Sequence, residues 1–263
     1  MFEIRKTKPL HIIILAAFFL SFLGCVSDTA SFKIGKSLPQ SKLAYYNDSF
    51  DKLRTDLWEK AGYIPNEAQK ANFKLARVGV RDGKLSIKTE TGCFSKGGVG
   101  SKYALRGDFD IQVDCQIDFL EGVYDMDQLV ALTVIERGKE IETMNSVFLC
   151  LIKKGGRDFN TILSGFRKNG RVYRGDWHKI KNFDGTLRIV RIGERISTLF
   201  KRKGDPQWKR INTFQSTPKD VMIGFSLVNF TVIRTSITAK SPITATFDNF
   251  RINAAEEIIE EDI

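Results

Sequence analysis

The chain has 263 residues, of which 42% are hydrophobic and 27% are charged, and its formal net charge is +10. These proportions are typical of a soluble globular protein, and they exclude a disordered chain, a collagen-like chain and a multi-span membrane protein. Only two histidines occur, His11 and His178, which excludes a metal site built from several histidines. The excess of lysine and arginine either favours an acidic partner or simply keeps the faces of strands in water.

Residues 1–24 have the three parts of a secretory signal peptide. Arg5, Lys6 and Lys8 form a basic start. Residues 12–20 form an apolar stretch that is too short to span a bilayer, for which about 20 residues are needed. Residues 22–25 then read Phe-Leu-Gly-Cys, which resembles the lipobox of bacterial lipoproteins. In that family the cysteine becomes the lipidated N-terminus of the mature protein.

The lipobox resemblance implies that Cys25 carries a lipid and anchors the chain to a membrane of the bacterial cell envelope, on its periplasmic or surface side. Residues 25–44 are rich in serine, lysine and threonine and lack periodicity, so we interpret them as a tether. An exported chain rarely meets nucleic acid, which is therefore not an expected partner. Two alternatives remain open, an ordinary secretory signal that happens to contain a cysteine and an uncleaved membrane anchor.

The alternation of apolar and polar residues predicts one all-β domain over residues 45–253. The strongest pattern runs from Phe109 to Phe119, where every second residue is apolar. Shorter patterns of the same kind occur over residues 83–89, 129–135, 147–152, 161–166, 187–192, 196–201, 221–230 and 245–252. Turn signals such as Asn169-Gly170 separate many of them. Many short strands without a long amphipathic helix indicate an antiparallel β-sandwich.

Two segments have other patterns. Residues 51–60 are compatible with a short helix. Residues 254–263 form an acidic tail, for which we expect either disorder or one last helical turn. Its acidic residues are Glu256, Glu257, Glu260, Glu261 and Asp262.

Three cysteines remain after Cys25, and an odd number permits at most one disulfide bond. Cys115 lies on the apolar side of the strand over 109–119, so a buried free thiol is expected there. Phe247 and Phe250 are three residues apart and cannot share one side of a regular strand. A β-bulge near Asp248-Asn249 would allow both rings to reach the core.

The landmarks of the domain follow a familiar order, from the strand Gly107-Asp108-Phe109-Asp110-Ile111 to the closing Phe247-Asp248-Asn249-Phe250. This order resembles the concanavalin A-like lectin/glucanase superfamily in its LamG-like branches. The resemblance implies a jelly roll of two curved antiparallel sheets. It also implies a possible structural calcium ion near Asp48 and Asp248, although either carboxylate could instead bond backbone amides. No other cofactor is expected.

Glycanases of this superfamily carry paired acids on one strand, in an E-x-D-x-x-E or E-x-D-x-E pattern, and this pattern is absent here. Retaining hydrolysis needs two carboxyl groups about 5 Å apart. The nearest candidate pairs are Glu140 with Glu142 and Asp125 with Asp127. We therefore assign no catalytic residue, and solvated strand faces are the simpler interpretation of these acids.

Sugar binding requires aromatic platforms together with polar side chains. The candidates are Trp208, Trp177 and Tyr124, with Arg188 and Arg191 placed to meet an acidic sugar. Trp208 follows a turn and is the preferred exposed platform, whereas a tryptophan at the start of a strand can equally close the core.

Three functions remain open. The first is an exported lipoprotein with a non-catalytic carbohydrate-binding jelly roll, whose glycan could be acidic. The second is a glycoside hydrolase-like enzyme with unconventional acids, and the third is a protein-interaction scaffold whose basic body meets an acidic partner.

Overall fold

The computed structural model describes residues 32–61, 72–120, 126–138, 144–154, 159–215, 219–231 and 241–260. Within them the chain forms one helix and fourteen strands. These are α1 Gln40–Tyr46, β1 Trp58–Lys60, β2 Phe73–Leu75, β3 Arg77–Arg81, β4 Lys84–Lys88, β5 Phe94–Ile117, β6 Met126–Glu136, β7 Ser146–Lys153, β8 Asn160–Lys168, β9 Arg171–Ile180, β10 Phe183–Ile192, β11 Arg195–Arg202, β12 Lys209–Gln215, β13 Val221–Thr231 and β14 Thr244–Glu260. No helix in these ranges is long and apolar enough to cross a membrane.

The long strand β5 takes part in both layers of the sandwich. Its C-terminal half pairs with β10 and β14, which continue through β11 to β12 on one side and through β4 to β3 on the other. We call this layer sheet A. Its N-terminal half pairs with β1 and β13, and the layer continues through β6, β7 and β8 to β9. We call this layer sheet B.

The two sheets face each other across an aromatic core. Phe225 of β13 in sheet B stacks on Phe247 of β14 in sheet A, with ring centroids 5.0 Å apart. Trp58 is 1% exposed. Its ring centroid lies 5.1 Å from that of Phe225 and 5.2 Å from that of Phe250. Stacked and edge-on aromatic pairs of this kind stabilise a core beyond the area that they bury. The antiparallel sandwich predicted from alternation is thus confirmed.

The predicted bulge in β14 is also confirmed. The pairing of β14 with β5 shifts register between Asp248 and Arg251, and Asn249 has a positive φ of 47°. The extra residue turns the strand, so that Phe247 and Phe250 both point into the core and are both buried.

The helix predicted at residues 51–60 is wrong. Residues 51–57 form bends and turns, and the segment ends in strand β1. Tertiary contacts explain the difference, because the backbone of Trp58 pairs with Ser101 of β5 and its indole is buried in the core. The stabilisation gained from burying Trp58 exceeds the modest helical preference of the segment.

The ordered domain extends beyond both predicted boundaries. Helix α1 lies inside the segment interpreted as a tether, with Leu43 and Tyr46 buried. At the other end, β14 continues past Asn253 to Glu260, so this part of the acidic tail belongs to the sheet. The hydroxyl of Tyr46 donates a hydrogen bond to the carboxylate of Glu260, which joins the two extensions.

Cys93, Cys115 and Cys150 are free and buried. This confirms the free thiol expected at Cys115. Burial raises the pKa of Cys115 above its ordinary value and raises the pKa of Cys150 to about 12.

Replacing Phe250 by alanine should lower the free energy of unfolding by about 3–5 kcal/mol, because the variant leaves a cavity beside Trp58 and Phe225. Urea unfolding measures this loss. The neighbouring variant Arg251→Ala is the control, since Arg251 is exposed and its loss should change stability by less than about 0.5 kcal/mol. Equal effects of the two variants would contradict the bulge geometry.

Candidate functional site

The residues predicted to bind sugar are distributed over three different places. Trp208 and Arg188 lie on the outer face of sheet A, Trp177 lies on the outer face of sheet B, and Arg191 lies in the interior. Tyr124 lies outside the described residues.

Arg191 is a buried structural residue in this fold. Its side chain is 1% exposed. The guanidinium donates hydrogen bonds to the carbonyl oxygens of Gly107 at 2.6 Å and Lys219 at 2.7 Å, and it lies over the ring of Phe109. Burial lowers its pKa to about 10, although nearby carboxylates act in the opposite direction. A sugar has no access to Arg191, and we do not include it in the site.

Arg188 and Trp208 are engaged with one another on sheet A. Arg188 forms a bidentate ion pair with Asp110, with distances of 2.8 Å from Nε to Oδ1 and 2.5 Å from Nη2 to Oδ2. Its guanidinium also lies 5.1 Å from the ring centroid of Trp208, and the ammonium of Lys201 lies 5.2 Å from the same centroid. Trp208 is therefore only half-exposed and contacts two cations, so it is a less open platform than expected from the sequence.

Asp48 and Asp248 do not fit a calcium site. One carboxylate oxygen of Asp48 accepts the backbone N–H of Phe50 at 2.7 Å, and the other accepts the indole N–H of Trp58 at 2.8 Å. Asp248 accepts the N–H of Asn249. Calcium requires six to eight free oxygen ligands. Within the described ranges, no group of three histidine, cysteine or acidic side chains is placed to hold a metal ion.

Asp48 instead fixes Trp58 in the core. Burial raises the pKa of Asp48, while the hydrogen bonds from Phe50 and Trp58 act to lower it. The two hydrogen bonds that the carboxylate accepts thus offset the free-energy cost of its desolvation.

Asp48→Asn should lower the free energy of unfolding by about 2 kcal/mol, because the amide NH₂ then faces an N–H donor. Urea unfolding of Asp48→Asn, Trp58→Phe and the double variant measures the coupling. The double variant should lose less than the sum of the single variants. Additive losses would show that the Asp48–Trp58 hydrogen bond does not exist in solution.

The outer face of sheet B carries an exposed aromatic pair. Trp177 on β9 is 50% exposed and stacks on Phe159, with centroids 5.9 Å apart and planes 14° from parallel. The ammonium of Lys179 lies 4.4 Å from the centroid of Phe159. Trp177 pairs with Leu163 of β8, whose side chain belongs to a small apolar cluster with Ala131 and Cys150. We call this face the aromatic surface.

The register across sheet B explains the shape of the aromatic surface. Two rows of face-side residues cross the strands from β5 to β9, and most of their members before β9 are small. The first row is Gly100, Gly224, Thr133, Phe148, Gly165 and Arg174, and the second is Gly98, Ser226, Ala131, Cys150, Leu163 and Trp177. The rows form a floor of low side chains that ends at the Trp177 indole.

Gly165 is required for this floor. A Cβ atom on Gly165 would lie 2.5 Å from the ring of Phe148 and 2.5 Å from the carbonyl oxygen of Tyr173. Glycine at this position therefore leaves room for the ring of Phe148 beside the backbone of β8.

Basic side chains bound the aromatic surface. A third row on the same face runs from Lys96 on β5 through Val228 and Leu129 to Lys179 on β9. Burial lowers the pKa of Lys96 to about 8, and the positive charge of Arg167 acts in the same direction. The surface is thus apolar at its centre, and its rim carries these cations together with the carboxylates of Glu59 and Asp127.

In the wild type, deprotonation of Lys96 should raise the free energy of unfolding between about pH 8 and pH 10.4, and Lys96→Met should abolish this contribution. The folded pKa of about 8 is below the unfolded value of about 10.4, so the unfolded chain binds more protons between these two pH values. The free energy of unfolding of the wild type, relative to the variant, should rise by about 3 kcal/mol across this window.

Urea unfolding on both sides of the window measures this difference. Other groups, including Cys115 and Cys150, titrate in both proteins and cancel. A constant difference between the wild type and the variant would show that Lys96 is not desolvated.

Of the four acids considered as unconventional catalysts, only Asp127 lies within the described residues. Asp127 lies at the start of β6, at one end of the face, while Asp125, Glu140 and Glu142 lie outside the described residues. The face-side residues of β7 are Ser146, Phe148, Cys150 and Ile152, and none of these is acidic.

Sequence reasoning identified Trp177 but missed Phe159, Phe148 and Lys179. Phe159 directly precedes strand β8 and reaches Trp177 only through the β8–β9 pairing. The Asn169-Gly170 turn was the available signal for that pairing, since it predicts a hairpin that brings β8 beside β9.

Three solved structures illustrate what the fold is similar to. A variant of LamA from Zobellia galactanivorans, in complex with laminaritriose and laminaritetraose, has a TM-score of 0.59 and 12% identity, covering 84% of this chain and 99% of that chain. The Bacillus licheniformis β-glucanase has a TM-score of 0.55 and 16% identity, covering 84% of this chain and 99% of that chain. The CBM2 module of the evolved Dit of Lactobacillus casei BL23 phage J-1 has a TM-score of 0.53 and 9% identity, covering 79% of this chain and 95% of that chain.

These likenesses confirm the antiparallel β-sandwich with a jelly-roll fold that the sequence predicted. No protein-family model matches the chain, and no curated protein matches it in sequence. At these identities the likeness concerns the fold alone.

Proposed function

We propose that the chain is an exported lipoprotein whose jelly roll binds a glycan without cleaving it, and that the glycan is acidic. The observation that carries the proposal is the exposed Trp177–Phe159 pair at the end of a floor of small residues. An exposed indole beside such a floor offers a flat apolar platform for the face of a sugar ring.

The rim supports the choice of an acidic glycan. Lys96, Lys179 and Arg174 lie on the same face as Trp177, and the field of Arg167 reaches Lys96. Carboxylate or sulfate groups of a polysaccharide would replace water around these cations. The similar structures include one with laminaritriose and laminaritetraose bound, which supports a saccharide as ligand.

The absence of the paired-acid pattern from the sequence supports binding rather than cleavage. The face-side residues of β7, at the centre of sheet B, are uncharged. A glycan lying across this strand would meet apolar and hydroxyl groups, which hold a sugar but do not protonate a glycosidic oxygen.

The lipid anchor of the proposal is Cys25, which lies outside the described residues. Two or more acyl chains hold a protein firmly at a bilayer. Metabolic labelling with a palmitate analogue tests it, because labelling of the wild type should be lost in Cys25→Ala.

Trp177→Ala should weaken glycan binding about tenfold, which corresponds to about 1.4 kcal/mol of lost stacking. Affinity electrophoresis through gels with alginate, polygalacturonate or neutral laminarin measures the retardation. Retardation by the acidic polymers should fall with added salt, because the rim contacts are ionic.

Trp208→Ala is the matched control for Trp177→Ala. It removes a tryptophan from sheet A and should leave the retardation unchanged. Loss of binding in Trp208→Ala with retention in Trp177→Ala would contradict the aromatic surface as the site. No retardation of the wild type by any polysaccharide would overturn the proposed function.

A further inference from the structure

Residues 32–38, which we call the N-terminal latch, are fixed along the outer face of sheet A. The backbone N–H of Leu38 donates to the carbonyl oxygen of Ala255 at 2.7 Å, and Ser37 Oγ accepts the N–H of Ala255 at 3.3 Å. The latch therefore begins its path at strand β14.

The other end of the latch reaches the far side of sheet A. The ring of Phe32 lies 5.5 Å from the guanidinium carbon of Arg188 on β10 and 5.6 Å from that of Arg210 on β12. Strand β14 is separated from β12 by β5, β10 and β11, a distance of about 19 Å at the usual strand spacing. The latch thus crosses most of the sheet.

Two buried apolar residues indicate that this face is covered. Val190 pairs with Asp110, and Leu199 pairs with Arg188, so both lie on the outward side of sheet A. Both are nevertheless buried. Apolar outward residues on a solvated sheet face would be exposed. Leu199 pairs with both Arg188 and Arg210, the two residues beside the Phe32 ring, so the latch ends next to Leu199 on this face.

The latch begins close in sequence to the predicted anchor. Seven residues lead from Cys25 to Phe32, and a fully extended chain of this length spans at most about 25 Å. The sequence alone had allowed a tether as far as residue 44.

We infer that sheet A of this protein lies against the surface of a bilayer that contains anionic lipids, and that the aromatic surface of sheet B points away from it. The inference rests on the lipid anchor of the proposed function. Basic side chains surround the point where the latch ends: Lys33 follows Phe32, Lys201 contacts Trp208, and Arg210 contacts Phe32. Their charge complements phosphatidylglycerol headgroups, which attract lysine and arginine near a membrane surface.

The orientation has a functional reason. The outer faces of the two layers of a sandwich point in opposite directions. A short attachment on sheet A therefore leaves Trp177 and the floor of sheet B open to a polymer that approaches from the aqueous side.

Hydrogen exchange of the lipidated full chain tests the inference. The protein is bound to vesicles of phosphatidylcholine with one-third phosphatidylglycerol, to vesicles of phosphatidylcholine alone, and to detergent micelles. We expect slower exchange in residues 195–215 on the anionic vesicles than in micelles, and no change in residues 160–180. Protection of residues 160–180, or of neither segment, in protein that floats with the vesicles would overturn the orientation and leave the lipid anchor intact.

A charge-matched pair of double variants sharpens the test. Lys201→Gln/Arg210→Gln should lose the protection that depends on phosphatidylglycerol, whereas Lys168→Gln/Arg171→Gln, on the hairpin between β8 and β9, should retain it. Equal behaviour of the two variants would overturn the role of the basic side chains. Failure of the wild type to float with either kind of vesicle would overturn the lipid anchor and, with it, this inference.

Discussion

The sandwich depends on the crossing of strand β5 from one layer to the other, and the crossing lies at Gly107. This residue has a positive φ of 69°, which glycine adopts without strain. The buried guanidinium of Arg191 donates hydrogen bonds to the carbonyl oxygens of Gly107 and Lys219. Glu256 accepts the N–H of Asp108 beside it. Side chains from two neighbouring strands, β10 and β14, thereby provide partners for backbone polar groups of the turn.

Alternation was sufficient to locate the strands with one buried face, because such strands must place an apolar residue at every second position. The edge strands β9 and β12 were missed for the opposite reason. Almost every residue of β9 is exposed, so no apolar face is needed and no periodicity results. Helix α1 was missed because only Leu43 and Tyr46 are buried, and its stability comes from packing on β14, which a local pattern does not contain.

The site was less predictable than the fold, since it depends on register. Arg188 and Arg191 appeared equivalent as sugar ligands, yet residues three apart on a strand point to opposite faces. One of them therefore had to lie inside, and the burial of Ile189 and Leu187 decides that it is Arg191. Period-two reasoning applied to the whole of β10 would have separated them. The Trp177–Phe159 contact, by contrast, is set by cross-strand register, which the sequence specifies only weakly.

The burial of the three sulfhydryl groups of the domain has a consequence for the proposed export of the chain. Oxidants and disulfide-exchange enzymes react with the deprotonated sulfur and need to reach it. Cys93, Cys115 and Cys150 are enclosed, and burial raises the pKa of each one, which keeps the proton in place. In the oxidising envelope that the proposed function implies, the folded chain would thus protect its sulfur atoms from sulfenic acid formation and from mispairing with other proteins.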